Sequence, residues 1–268
     1  MNNHPEQIKS TEDIIFYAKK NADPSIVRLT EKTLKITSVQ EPYTISPDDF
    51  YLQADEDGLA FVENGHMLRG DFTRLLPRLI PNNLNHELLV KASKLKGIPG
   101  PLTAVDATAG LGEDAFLLAA AGFQVQLYER NPIIALLLSD ALRRGLKNPD
   151  LAPVIRRMEL HMEDSITMLP RLTPPPDIVV LDPMFPSRQK SGLIKKKFQL
   201  LHQLEQPCSE EKKLLDAAMS CSPRRIVIKR PLKGPCLAGV KPSYTLKGKS
   251  IRFDCIVVSQ RSEKPAAL

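Results

Sequence analysis

The segment Val105-Asp106-Ala107-Thr108-Ala109-Gly110-Leu111-Gly112-Glu113-Asp114-Ala115 sets two glycines among three carboxylates. Gly110 and Gly112 permit a tight turn and a close backbone approach to a ligand. Gly110–Ala115 also satisfies G-x-G-x-x-[GA], the loop that cradles a dinucleotide pyrophosphate at a helix N-terminus. Charge separates the two ligands. A pyrophosphate wants bare N–H groups, whereas Glu113 and Asp114 occupy the start of the helix and Asp106 lies just before the loop. These acids repel phosphate and attract a cation. S-adenosylmethionine has no phosphate and carries an ammonium and a sulfonium. Glu129, seventeen residues beyond Gly112, ends the next apolar run, where a carboxylate can accept both ribose hydroxyls. Glu113 and Asp114 could equally complement the helix dipole. Asp164-Ser165 could bond an adenine amine or cap a helix.

A second chemical segment is Leu181-Asp182-Pro183-Met184-Phe185-Pro186, which follows the apolar run Ile178-Val179-Val180. Asp-Pro after such a run is often only a turn. Here it continues into an aromatic residue between prolines. The segment resembles the [DN]-P-P-[FYW] motif of amino-methyltransferases acting on adenine, cytosine or guanine, with Met184 replacing the second proline. An exocyclic amine delocalises its lone pair into the ring and is a poor nucleophile. A carboxylate and a nearby carbonyl accepting its N–H groups localise that pair for in-line attack on a methyl group. Asp182 and Pro183 are the expected acceptor and its rigid support, and Phe185 offers a face for base stacking. Methyl transfer from a sulfonium needs no metal.

The charge distribution names a partner class. Residues 1–183 carry 19 Lys and Arg against 25 Asp and Glu, and residues 184–268 carry 18 against 6. Such asymmetry points to a polyanion. Arg188, Lys190, Lys195, Lys196 and Lys197 follow the proposed base pocket, and Lys229 and Arg230 end a later strand, so all seven are expected to hold RNA phosphates. Four scattered cysteines form no C-x-x-C pair and no cluster with the five histidines, which argues against a disulfide framework or zinc site. No apolar stretch approaches a membrane span, and the polar first residues lack a signal-peptide core, so a cytoplasmic protein is expected.

These residues need a scaffold. From Leu102 onward short apolar runs alternate with helical patterns. Strands are expected at 102–107, 124–129, 158–163, 178–181 and 225–229, with helices at 113–121, 132–145 and 210–220. Residues 243–246 and 251–259 flank Lys247-Gly248-Lys249-Ser250 as a hairpin. This is an α/β pattern: a doubly wound, mostly parallel sheet with a terminal antiparallel hairpin, binding ligands at the carboxyl ends of its strands. Residues 1–80 form a small strand-rich unit, with strands expected at 26–29, 34–37 and 59–62. Residues 81–100 form a helical linker ended by Gly97-Ile98-Pro99-Gly100-Pro101, and residues 101–262 the catalytic domain.

Taken together, Asp106–Gly112 with Asp114-Ala115-Phe116, Glu129-Arg130-Asn131-Pro132, Leu181–Pro186, Lys229-Arg230-Pro231, Lys247-Gly248 and Arg252-Phe253-Asp254 resemble the ribosomal RNA small-subunit methyltransferase J family. The resemblance covers about residues 100 to 258. It implies a Rossmann-like class I methyltransferase fold and methylation of a guanine N2, with small-subunit ribosomal RNA or the assembled subunit as partner. It also implies cofactor contacts at Glu113, Asp114, Glu129, Arg130, Asp164, Ser165 and Asp182. No membrane or obligate protein partner is expected. Three other readings remain open on the residues: an amino-methyltransferase for adenine or protein glutamine, an NAD-dependent oxidoreductase, and a silent RNA-binding module.

Overall fold

The alternation after Leu102 folds into one seven-stranded sheet in the structure, a computed structural model that describes residues 14–40, 50–183 and 210–258. Its elements are β5 (Thr103–Asp106), α4 (Glu113–Ala120), β6 (Gln124–Tyr128), α5 (Pro132–Gly145), α6 (Ala152–Ile155), β7 (Met158–His161), α7 (Ser165–Met168) and β8 (Ile178–Leu181). Then come α8 (Glu211–Ser220), β9 (Arg225–Pro231), β10 (Tyr244–Lys247) and β11 (Ile251–Val257). The strand order is β10-β11-β9-β8-β5-β6-β7. The five strands from β9 to β7 pair in parallel, and β11 and β10 pair antiparallel. The chain runs outward from β5 through β6 to β7, then returns to β8 on the other side of β5. That reversal opens a crevice at the carboxyl ends of β5 and β8.

Strand β8 is wholly apolar because helices cover both faces of a parallel sheet. Helix α5 begins where the sequence says it should. The Asn131 side chain accepts from the N–H groups of Ile133 and Ile134, and Pro132 opens the first turn. Most of α5 is buried, since it lies between the large sheet and a second, smaller one.

The smaller sheet orders β1 (Ile15–Ala18), β2 (Phe50–Asp55), β3 (Gly58–Glu63) and β4 (His66–Leu68) in sequence, with α1 (Pro24–Leu34) against it. Residues 26–29, expected as a strand, lie inside α1. Asp23 caps that helix, Pro24 starts it, and Ile26, Thr30 and Leu34 bury one face at four-residue spacing. Leu34 ends the helix and Lys35 leaves it in the left-handed conformation (φ 57°), so 34–37 is a helix stop rather than a strand.

The small sheet shares its core with the larger unit. Leu52, Leu59, Phe61 and Leu68 pack in one cluster with Ile133, Ile134, Leu136 and Leu137 of α5. At the contact, Asp140 of α5 accepts from Leu59 N–H at 2.8 Å and pairs with Arg143 and Arg144, both at 2.7 Å. Gly58 (φ 107°) is required there, since a Cβ would lie 2.2 Å from the Asp140 carboxylate. The 81–100 segment holds two short helices, α2 (Pro81–His86) and α3 (Leu88–Ser93). Arg225 of β9 donates to the carbonyls of Ala92 and Lys94, fixing α3 against the sheet. Among the described residues no helix is long and apolar enough to cross a membrane.

Candidate active site at the carboxyl edge of the sheet

The turn after β5 is held by backbone bonds to both neighbouring strands. Ala107 N–H donates to Val180 O at 3.0 Å, and Ala109 N–H to Tyr128 O at 3.1 Å. Gly112 (φ 76°) starts α4 in the left-handed conformation, and a Cβ there would lie 2.7 Å from Leu138 Cδ1. The tight turn expected of this glycine is therefore enforced by packing as well as by conformation. Thr108 links the two catalytic strands: Asp182 N–H donates to its hydroxyl at 2.7 Å, and its own N–H donates to Asp106 at 3.2 Å.

Around this turn the structure gathers the acids singled out from sequence. Asp106 ends β5 at 2% exposure. Glu129 follows β6, with Oε2 accepting from Gly110 N–H at 2.9 Å and Oε1 from Asn131 N–H at 2.8 Å. It therefore anchors the glycine loop and the start of α5, and each oxygen keeps a lone pair for a ligand hydroxyl. Glu113 and Asp114 form the first turn of α4. Asp182 follows β8 with its side chain 40% exposed. Lys229 of β9 reaches between two of these acids, 2.7 Å from Asp114 Oδ2 and 2.9 Å from Asp182 Oδ2.

One lysine does not neutralise this group. Burial, reinforced by the charge of Asp114, pushes the Asp106 carboxyl up to about 7. Burial also raises Glu129, against the backbone N–H groups it accepts from, and raises Asp182 against the pull of Lys229. Burial opposes the Lys229 charge, but Asp114 and Asp182 together hold its pKa well above the usual value. A buried acid short of positive charge is a place a cationic ligand fits and a pyrophosphate does not. The residues present therefore fit the charge of S-adenosylmethionine better than that of a dinucleotide.

Asp164 accepts from Ile166 N–H at 2.9 Å and so caps α7, the helix-capping role open from sequence. Its other oxygen lies 3.8 Å from Arg130, which is the same distance from Glu210. Ser165 is buried beside it.

The expected phosphate contacts divide. Phe185, Arg188, Lys190, Lys195, Lys196 and Lys197 lie outside the described residues. Lys229 lies inside the acid cluster. Arg230, expected on the RNA surface, is a correction: it is 1% exposed and donates to Pro235 O at 2.9 Å and to Glu211 at 3.2 Å. Successive strand residues face opposite sides, so Lys229 turns to the site while Arg230 turns into the protein. A guanidinium offers five donors and survives burial when carbonyls and a carboxylate receive them. Arg252 on β11 behaves alike, donating to the carbonyls of Pro231, Leu232, Gly234 and Pro235 and pairing with Asp254. Both arginines thus shape the loop leaving β9.

Sequence reasoning missed Thr108 and the inward role of Lys229. A hydroxyl inside a glycine turn was the available signal for the first. For the second it was strand alternation, which allows only one of two adjacent cations to face the crevice.

Comparison with known proteins agrees with this geometry. The family model described as a putative SAM-dependent methyltransferase matches residues 49–258. Ribosomal RNA small subunit methyltransferase J of Marinobacter nauticus (strain ATCC 700491 / DSM 11845 / VT8) is 38% identical over 242 residues, covering 87% of each chain. The protein of that name from Dechloromonas aromatica (strain RCB) is 41% identical, over 81% of this chain and 90% of its own. A solved SAM-dependent methyltransferase from Neisseria gonorrhoeae superposes with a TM-score of 0.72 at 32% identity, over 91% of this chain and 95% of that one. A carboxylate-lined glycine turn, an Asp-Pro strand end and relatives of this closeness lead to one conclusion: the chain belongs to the ribosomal RNA small subunit methyltransferase J family of class I SAM-dependent methyltransferases.

Proposed function

We propose that this protein methylates the exocyclic N2 of a guanosine in small-subunit ribosomal RNA, with S-adenosylmethionine as donor. The observation carrying the reading is the convergence of Asp106, Asp114, Glu129 and Asp182 on one crevice, with Asp182-Pro183 at its open edge. The names of the relatives support RNA as substrate. Bound there, the cofactor supplies an electrophilic methyl group on a sulfonium.

The chain's own residues then have distinct tasks. Glu129 accepts the ribose hydroxyls while holding Gly110 in place. Asp106, Gly110, Gly112, Glu113 and Asp114 receive the cationic end, and Arg130, Asp164 and Ser165 border the adenine side. Asp182 accepts an N–H of the guanine amine and takes up the proton it sheds, beside Pro183. Phe185 stacks on the base, and Arg188, Lys190, Lys195, Lys196 and Lys197 hold flanking phosphates.

The described surface adds three lysines on this edge. Ile251 pairs with Pro231, and Leu232 N–H donates to Ser250 O, so the β10–β11 turn stands beside the loop leaving β9. Lys233, Lys247 and Lys249 are exposed there and offer a track for the RNA backbone. Ribosomal RNA as substrate supports a cytoplasmic location.

The test is radiolabelled methyl transfer to unmodified small-subunit ribosomal RNA, followed by nucleoside identification. N2-methylguanosine is the expected product. Label in N6-methyladenosine would replace guanine by adenine in this reading, and label only in protein glutamine would remove RNA from it.

A further inference from the structure

We infer that Lys229 is a positioning residue for methyl transfer, clamping Asp182 in the ionised, oriented form that receives the base amine. The inference rests on the reading of Asp182 as the amine acceptor. Lys229 enters from β9, whose Ile228 pairs with Leu181 of β8, so its side chain emerges directly beside Asp182. Its ammonium lies 2.9 Å from Asp182 Oδ2 and 2.7 Å from Asp114 Oδ2. With the backbone of Asp182 fixed by the Thr108 hydroxyl, this contact holds the carboxylate at a second point. Oδ2 is thereby engaged, and Oδ1, for which no contact is seen among the described residues, is the oxygen assigned to accept an N–H from the base.

The clamp also sets charge. Among the described residues, the charged groups around Asp182 are Asp106 from β5, Asp114 from α4, Lys229 from β9, and Arg230 through the body of the same strand. Without Lys229, two acids face Asp182 and, among the described residues, the inward-turned Arg230 alone opposes them. A carboxyl so placed takes up a proton more readily, and in that form it has lost much of its capacity to receive one. Lys229 is thus assigned to the reaction rather than to an RNA phosphate, and touches neither substrate nor methyl group.

Single-turnover methylation of unmodified small-subunit ribosomal RNA, measured from pH 5.5 to 9 at saturating cofactor, tests this with the full-length protein. In Lys229→Met the maximal rate should fall about tenfold or more, and the acid limb of the rate profile should move up by about one pH unit. Lys229→Arg should return the limb towards its native position, because a guanidinium restores charge and donor. RNA affinity and its salt dependence should stay native in both, unlike the loss expected of a phosphate contact. Should Lys229→Met fail to fold, Lys229→Gln and Lys229→Arg give the same comparison. An unmoved limb in the neutral variant, or a lowered salt slope with a native rate, overturns the assignment. Asp182→Asn separates the two layers: a native rate there overturns the reading of Asp182 and this inference with it. A lost rate there, beside an unmoved limb in the neutral Lys229 variant, overturns the inference alone.

Discussion

Asp140 and Asp106 are buried at 0% and 2% exposure, and they are treated in opposite ways. Asp140, between the two sheets, receives Leu59 N–H and the guanidinium groups of Arg143 and Arg144. Asp106, at the crevice, receives one long bond from Thr108 N–H and, among the described residues, no ion-pair partner. Lys229 acts on it only through space, while Asp114 and Asp182 repel its charge. The fold satisfies the acid that joins its parts and leaves the acid at the crevice short of positive charge. A buried charge is costly unless paired, so the deficit at Asp106 is what a cationic ligand can relieve.

The most damaging test of this contrast lies at the open edge. Asp182→Ala should lower single-turnover methylation by roughly 10²–10⁴, the range for a positioned proton acceptor. Near-native turnover would remove Asp182 from the chemistry. Asp140→Ala should do the reverse, costing about 3–5 kcal/mol in urea unfolding because two arginines lose their buried partner. Its folded fraction should bind cofactor normally, and a loss below about 1 kcal/mol would show that the two acids are not so different.

Glu129 combines both characters, since backbone N–H groups take both oxygens while the proposed reading gives it the ribose hydroxyls as well. Glu129→Ala should weaken S-adenosylmethionine binding by about 1.5–3 kcal/mol in calorimetry, the scale of lost charge-assisted hydrogen bonds. Tighter binding of NAD than of S-adenosylmethionine by the native protein would reverse the charge argument altogether.

Asp106→Asn sharpens the comparison through pH. The folded protein binds the Asp106 proton up to about pH 7, whereas the unfolded chain releases it near 4. Stability from this residue is therefore intact below about pH 4 and falls as pH rises to about 7. The asparagine variant escapes that loss and should be about 1–3 kcal/mol more stable than native at pH 8, with little difference near pH 4. It should also bind cofactor less well. Equal stability at pH 8 would mean that Asp106 is already compensated. The smallest effect concerns RNA: neutralising Lys233, Lys247 and Lys249 together should reduce the logarithmic salt slope of binding by about 2–3. An unchanged slope returns them to ordinary solvated surface.

The large sheet was legible because each segment carried its own punctuation. Helix α5 runs from Pro132 to Gly145 as expected, since Asn131, Pro132 and the apolar period all state it locally. Strand β8 was equally plain as an apolar run before Asp182. The crevice acids were legible because carboxylates at strand ends have no place in a core. What escaped depended on partners distant in sequence. Ile26–Leu29 looks β-prone alone and becomes helix through the Asp23 cap and a face buried against α5. Lys229 and Arg230 are adjacent letters of like charge, and only the sheet decides which faces the acids. Nor does composition reveal that Arg230 and Arg252 serve backbone carbonyls.

The shared α5 has a consequence for how the chain is made. Strands β1 to β4 end at Leu68, and the helix that covers their apolar face ends at Gly145. At roughly 5–20 residues per second, synthesis leaves that face without its cover for about 4–15 seconds. During this interval Leu52, Leu59 and Phe61 form a sticky surface on a nascent chain, and the strand edges beside them can recruit a neighbouring chain on the same messenger. Until α5 emerges, the amino-terminal sheet has only α1 and its own strands to cover the face that α5 will close.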